Sequence, residues 1–282
     1  MSSGAGDLPS LIMHHVLNSD TWHPFPGVAI GLPHFPVAHI GPLAIDPSIS
    51  LHVLMLLIGA VVTFLILKFG ARRQGPNGVL PASRFGHAIE AITLFLRDGV
   101  ARPTIGEKEG DVWMPFLGTI FFLILVLNLI GLIPCFSGAT ANISVTAALA
   151  VMVFVLFNFM GMKKNGVGKY IAHIAPSGVP APILVLLYPI EILSLFIRAF
   201  SLTLRLFANM LAGHIMILVL AGLVSVFAAL LPAPATLGLV APITVVFTVF
   251  IMVIKVFVCF LQAYVFTLLS SVYIGGAVHQ EH

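Results

Sequence analysis

Charge is what this sequence lacks most: Asp, Glu, Lys and Arg together make up 8% of its 282 residues, against about a quarter in ordinary soluble domains. A water-facing surface cannot be built from so few charges, so much of the surface faces lipid. Cysteine is nearly absent. Cys135 and Cys259 sit in or beside apolar stretches and read as buried thiols, which argues against a disulfide framework or a metal pair. The formal net charge is only +3 and no basic block occurs, which speaks against a nucleic-acid partner. The first 48 residues contain no Lys or Arg, so the charged start of a cleavable signal is missing and none is expected. A G-x-x-x-x-G-K-[ST] phosphate loop is also missing, and with it the commonest nucleotide cradle.

What is present is hydrophobic: 59% of the residues, with a mean hydropathy of +1.11. The apolar stretches are rich in Leu, Val, Ile and Phe and do not alternate, which fits helices better than a transmembrane barrel. The expected fold is an all-α integral membrane protein with about five membrane helices and one interfacial amphipathic helix. Residues 1–48, rich in Pro, Gly and His, read as an irregular or partly helical extramembrane segment, and 49–282 as a single membrane domain. The spans are expected at 51–69, 113–133, 143–161, 183–231 and 237–275. Between the first two, a turn is expected at Gly75-Pro76-Asn77-Gly78. Beyond it, Phe85, Ala88, Ile89, Ile92, Phe95 and Leu96 recur at helical spacing among Arg84, His87, Glu90, Arg97 and Asp98. That pattern predicts an amphipathic helix over about 83–100, lying at the interface.

The last two segments are nearly twice the ~20 residues that cross a bilayer. The simplest reading is a pair of long, strongly tilted antiparallel helices joined at Pro232-Ala233-Pro234; extra short spans are the alternative. Lys and Arg alternate along the loops. The first loop has seven (Lys68, Arg72, Arg73, Arg84, Arg97, Arg102, Lys108) and a later one has three (Lys163, Lys164, Lys169), while the loops between have none. This predicts the N-terminus outside and the C-terminus in the cytoplasm.

Ionisable residues within spans are costly and mark function. Here they are Glu191, Arg198 and Arg205 in the fourth segment and Lys255 in the fifth, with Asn209, His214 and Gln262 as polar companions. Glu191, Arg198 and Arg205 follow one another at seven-residue spacing, nearly on one helix face, with Ser194, Ser201 and Asn209 close to it. Lys255 and Gln262 are likewise seven apart. In an antiparallel hairpin, pairing Arg205 with Gln262 and His214 with Lys255 gives nearly equal sums of residue numbers, so both pairs match in depth. His214 and Lys255 then lie toward the outer side, and Glu191 and Tyr273 toward the cytoplasm. A guanidinium stays protonated at any physiological pH. It cannot relay a proton, but it attracts a carboxylate brought by a partner and blocks leakage between two hydrated half-paths. The competing reading is that these charges only stabilise packing, and Arg198 is expected to snorkel to the interface.

The run Ser201-Leu-Thr-Leu-Arg205-Leu-Phe-Ala-Asn209-Met-Leu-Ala-Gly213-His214 closely resembles the most characteristic motif of the subunit a family of F-type ATP synthases. The run from Leu261-Gln262 to Leu269 resembles the family's second signature, and Asn128-Leu-Ile-Gly131-Leu-Ile-Pro134 and His14-His15-Val16-Leu17 look familial too. The resemblance implies an ion-translocating stator subunit whose two long helices curve around a ring of c subunits, each bearing a membrane-embedded carboxylate. Arg205 matches the arginine that meets this carboxylate, and Asn209 and Gln262 match polar residues near it. Glu191 matches a carboxylate of the cytoplasmic half-channel, with Tyr273 near its exit, and His214 matches a position of the outer half-channel. Where relatives usually carry an acidic residue or His, this chain has Lys255, and the expectation is that it pairs with His214 or a nearby backbone carbonyl. The resemblance further implies a non-catalytic subunit without cofactor or metal, b subunits of a peripheral stalk as partners, and the bacterial inner membrane as location, with H⁺ the expected ion.

A secondary transporter is the second hypothesis. It would show inverted repeats and broken helices around a midplane site, and no convincing repeat relates the halves. A membrane metalloenzyme is prompted by the 11 histidines, but His14, His15, His23, His34 and His39 show no H-x-x-x-H pattern.

Overall fold

The structure is a computed structural model. It describes residues 21–25, 28–33, 38–40, 43–45, 48, 50–74, 80–81, 83–133, 136, 138–172, 181–230 and 236–278. Expectations for His14, His15, the Gly75–Gly78 turn, Pro134, Cys135 and the Pro232–Pro234 turn lie outside these residues.

Among the described residues, five helices are long and apolar enough to cross a membrane. The first, α1 (Leu51–Gly70), holds no proline and closes on Lys68, a cation in the last turn that suits the negative end of the helix dipole. The amphipathic helix α2 (Arg84–Leu96) starts at Ser83, whose hydroxyl accepts from the Gly86 amide at 3.0 Å. It runs through a π turn, Arg97–Ala101, into a last turn at Arg102–Ile105. Leu96, Val100, Ala101 and Ile105 are buried while Phe85, Leu94 and Phe95 are exposed, so the helix has apolar surface on two sides.

Helix α3 (Glu107–Ile130) begins six residues before the expected span and ends three residues before it. Hydropathy read Glu107–Asp111 as loop, but acidic residues in a first turn favour the helix, and Glu107 and Glu109 are placed there. Helix α4 (Ile143–Asn165) overruns its expected end for the matching reason, carrying Lys163 and Lys164 in its last turn. Gly166 stops it at φ 81°, a left-handed conformation natural to glycine. A short α5 (Val167–Ala172) follows. Its Tyr170 donates to Asn158 Oδ1 at 2.9 Å, and burial pushes the phenol above its ordinary pKa.

Helices α6 (Ala181–Leu230) and α7 (Ala241–Val278) are the two long ones, with a π turn at Thr236–Val240 before α7. The 50 residues of α6 form one unbroken helix that carries Pro189 inside it, so the segment is not a string of short spans. At 1.5 Å per residue a helix of that length is about 75 Å long, against about 30 Å of hydrocarbon.

The described parts of 21–45, expected to be irregular or partly helical, and of 73–81, expected as a polar stretch, pair into short antiparallel ladders. These join β1 (Thr21–Phe25) to β2 (Val28–Gly31), β3 (Ala38–Ile40) to β4 (Leu43–Ile45) and β5 (Arg73–Gln74) to β6 (Leu80–Pro81). Trp22 pairs with Ile30 and Phe25 with Val28, residues whose aromatic and β-branched side chains suit a pleated surface. The frequent prolines hid this, since they remove any helical period from the sequence.

The chain divides into two compact units. Unit 1 comprises residues 1–59, 125–145 and 206–261; unit 2 comprises 60–124, 146–205 and 262–282. In unit 1 the buried apolar side chains include Met55, Leu127, Leu206 and Met210, and in unit 2 Leu96, Leu117, Phe121, Ile124 and Phe266. Burial is uneven among helices. The most apolar stretch of α3 is 56% buried, but those of α6 and α7 are only 18% and 11% buried. The two longest helices leave most of their apolar surface to lipid or to another protein.

Candidate functional site

The polar residues of the two long helices fall into two groups, one in each unit.

In unit 2, α6 carries Glu191, Arg198 and Arg205 along one face. Arg205 is exposed, and its Nη2 donates to Ser201 Oγ, one turn earlier, at 3.5 Å. Among the described residues no ion pair involves Glu191, Arg198 or Arg205; the salt bridges join Arg97 to Asp98, Arg102 to Asp98 and Asp111, and Lys164 to Glu109. The Arg97 hydrogen bond holds the exposed Asp98 carboxyl below its ordinary range. The contrast is informative. Arg97, Arg102 and Lys164 in the polar segments find carboxylates within the chain, but among the described residues Arg205 in the apolar helix does not.

Arg198 is half-buried, with its guanidinium carbon 5.6 Å from the centroid of the Tyr273 ring on α7. An arginine over an aromatic face is held by the ring quadrupole. Tyr273 in turn packs on Phe157, with ring centroids 5.9 Å apart. Glu191 is half-buried. Gln262 is buried on α7 and its Nε2 has no hydrogen-bond partner. The depth match of Arg205 with Gln262 is not realised as a hydrogen bond among the described residues, where Arg205 donates to Ser201. Close by in the fold, Thr104 and Ser271 share a hydrogen bond of 2.5 Å, and Ser270 and Thr267 bond back to carbonyls one turn earlier.

In unit 1 the centre is Lys255. Its Nζ donates to the backbone carbonyl of Asn209 at 2.9 Å. Of the two partners expected for this lysine, the structure supplies the carbonyl. In regular helix register that carbonyl also accepts from the amide four residues on, which belongs to Gly213. Gly213 makes the approach feasible. A Cβ there would collide with Lys255 Nζ and lie 2.6 Å from its Cε. The lysine therefore occupies the space a side chain at 213 would fill. His214 is the next residue on α6, and its Nε2 is buried.

Sequence reasoning missed part of this group. Asn128 and Thr140 are fully buried, and Thr140 Oγ1 donates to Asn128 Oδ1 at 2.8 Å. Asn128 Nδ2 is buried with no hydrogen-bond partner. His52, in the first turn of α1, is 2% exposed and hydrogen-bonds the backbone of Gly138. The available signal was a polar residue inside an apolar run, which Asn128 and His52 both give. Their convergence depends on contacts far apart in the chain.

Together these groups offer a fixed cation without a counter-charge among the described residues, a carboxylate on the same helix face, and a buried or half-buried set of imidazole, amide, hydroxyl and amine groups. That inventory suits the passage of a small ion better than the binding of an organic solute.

Comparison with known proteins agrees. The pattern of the family described as "ATP synthase A chain" matches residues 53–275. The chain is 39% identical over 279 residues to ATP synthase subunit a of Chloroherpeton thalassium, covering 96% of this chain and 77% of that one. It is 39% identical over 274 residues to ATP synthase subunit a 2 of Chlorobaculum tepidum, covering 95% and 72%. It is also 39% identical over 238 residues to ATP synthase subunit a of Myxococcus xanthus, covering 84% and 75%.

Proposed function

The chain belongs to the ATP synthase A chain family, and on that premise we propose that it is the ion-translocating stator subunit of a rotary F-type ATP synthase, with Arg205 as its central charge. The observation that carries this reading is the exposed Arg205 in an apolar helix, with no carboxylate paired to it among the described residues. A lone guanidinium at membrane depth is expensive, and the charge that offsets it has to come from outside the chain. A ring of c subunits bearing carboxylates supplies it in succession as the ring turns.

The residues around Arg205 then sort into two half-paths. His214, Asn209 and Lys255 serve the outer one; Glu191 and Tyr273 serve the cytoplasmic one, and Gln262 helps to hold the ring carboxylate near Arg205. H⁺ moves through the outer groups to a ring carboxylate, travels with the rotation and leaves past Glu191. Arg205 cannot give up its proton, so it blocks direct leakage from one half-path to the other. The extensive apolar surface that α6 and α7 leave uncovered supports a ring-facing role for these helices. The subunit is non-catalytic and needs no cofactor. It works in a multi-pass setting in the bacterial inner membrane, N-terminus outside and C-terminus cytoplasmic, with b subunits of a peripheral stalk holding it still. Nothing in the comparisons favours a secondary transporter.

The test is ATP synthesis driven by an imposed ion gradient in membranes carrying Arg205→Ala. Loss of synthesis with the complex still assembled is expected. Synthesis near the wild-type rate would reduce Arg205 to a packing residue.

A further inference from the structure

Gly138 is approached from two sides by imidazoles. From α1 comes His52, which is 2% exposed and hydrogen-bonded to the Gly138 backbone. From α6 comes His214, whose Nε2 would lie 2.6 Å from a Cβ placed on Gly138. Met210 Cε would lie 3.0 Å from the same Cβ. A Cβ on Gly131 would collide with Met210 Cε and lie 2.9 Å from the Gly138 Cα, so the two glycines and Met210 close the site against one another. Thr140, two residues on, and its partner Asn128 are fully buried in the same unit. Among the described residues of unit 1, the titratable side chains on the long helices are His52, His214, Lys255 and Cys259. No carboxylate is among them.

A histidine packed this deeply has a bland role available, which is to tie α1 to the segment between α3 and α4 with one hydrogen bond. That role needs only a donor, and Asn, Gln or Ser would supply one. It does not explain a second imidazole at the same glycine. Imidazole is the side chain that takes up a proton on one nitrogen while holding or releasing one on the other near neutral pH. A side chain larger than hydrogen at 138 would push His214 away.

We propose that His52 and His214 form a two-station proton relay around Gly138 in the outer half-path; this rests on the ion-translocating reading above. A proton from water binds the basic ring nitrogen of neutral His52, and the Gly138 backbone steadies the resulting imidazolium. One N–H bond of His52 then breaks as one forms at the basic nitrogen of His214, directly or through one bridging water. His52 returns to its neutral form, and no electron transfer is involved. His214 passes the proton onward past Asn209. Lys255, tied to the Asn209 carbonyl and packed against Gly213, is a positive group beside this second station, and its field favours onward release from His214.

The test uses the whole synthase in inverted membranes, with ATP synthesis driven by an imposed proton gradient. His52→Gln keeps a donor for the Gly138 backbone. His52→Ala opens a cavity that free imidazole can fill. The relay predicts assembled complexes in which His52→Gln synthesises at least about ten-fold more slowly, at the low end of what a positioned proton-transfer group contributes. It also predicts that added imidazole raises the His52→Ala rate while leaving His52→Gln unchanged. A wild-type rate and pH profile in His52→Gln would overturn the relay and leave His52 as a tie. Absence of imidazole rescue in an assembled His52→Ala complex would overturn it as well. Arg205→Ala, run alongside, separates the two levels. If it abolishes synthesis while His52→Gln keeps the wild-type rate, only the relay fails; if it does not, the ion-path reading fails and the relay with it.

Discussion

Replacing Gly213 with alanine sets two effects against each other, and the structure says which wins. In a helix interior, Gly→Ala ordinarily stabilises by about 1 kcal/mol. Here the new Cβ would collide with Lys255 Nζ and lie 2.6 Å from Cε and 3.1 Å from Cδ. Ordinary carbon contacts begin near 3.5 Å, so the lysine must withdraw by about 1 Å. Its hydrogen bond to the Asn209 carbonyl, 2.9 Å long, then opens beyond useful range. Losing a hydrogen bond from a charged donor costs about 1.5–3 kcal/mol. The balance is a net destabilisation of about 0.5–2 kcal/mol. In a Lys255→Ala background the obstacle is gone and only the helix-propensity gain of about 1 kcal/mol remains. Thermal denaturation of the detergent-solubilised complex, run on wild type, both single variants and the double variant, closes a double-mutant cycle. The expected coupling is about 1.5–3 kcal/mol, well above the ~0.6 kcal/mol average for side-chain hydrogen bonds in membrane helices. If Gly213→Ala raises the midpoint equally with and without Lys255, the lysine does not depend on the glycine and the reasoning is wrong.

Two further substitutions follow from contacts described above. At Gly275 on α7 a Cβ would collide with the Thr104 carbonyl oxygen and lie 3.0 Å from its carbon; backbone cannot swing aside as a lysine can, so Gly275→Ala is expected to lose about 1–3 kcal/mol to overpacking, read as a lower denaturation midpoint. Thr140→Val is expected to cost about 1–3 kcal/mol by leaving the buried Asn128 Oδ1 without its donor, and adding Asn128→Leu should return part of that loss in the same measurement.

Much of the fold was legible because bilayer thickness and helix pitch are strong constraints. Leu51 opens α1 as expected, Ile143 opens α4, and both overlong segments are single long helices. Boundaries failed where charge and hydropathy disagree. Glu107–Asp111 and Lys163–Lys164 look like loop to a hydropathy scale, yet their signs suit the helix ends they occupy. The ladders at Thr21–Ile45 were illegible because prolines mask both periodicities. For the candidate site, the seven-residue stripe of Glu191, Arg198 and Arg205 could be read directly. That Lys255 needs a carbonyl or His214 could be inferred, but choosing the Asn209 carbonyl required knowing that residue 213 faces it. His52 and Gly138 were beyond reach, since nothing local to either announces the other.

The stripe on α6 has one more property. Seven residues at 3.6 per turn fall about 20° short of two full turns, so from Glu191 to Arg205 the direction of the charged groups rotates by about 40° along an unbroken helix. They follow a slow screw thread, not a straight line. A cylinder rolling past an upright helix of this kind would engage the groups one after another; one that met the helix obliquely, at the thread's own inclination, would face all of them at once. The unbroken backbone of α6 thus writes an angle of approach into the sequence, and inserting or deleting a single residue between Glu191 and Arg205 would swing one charge by about 100° relative to the other.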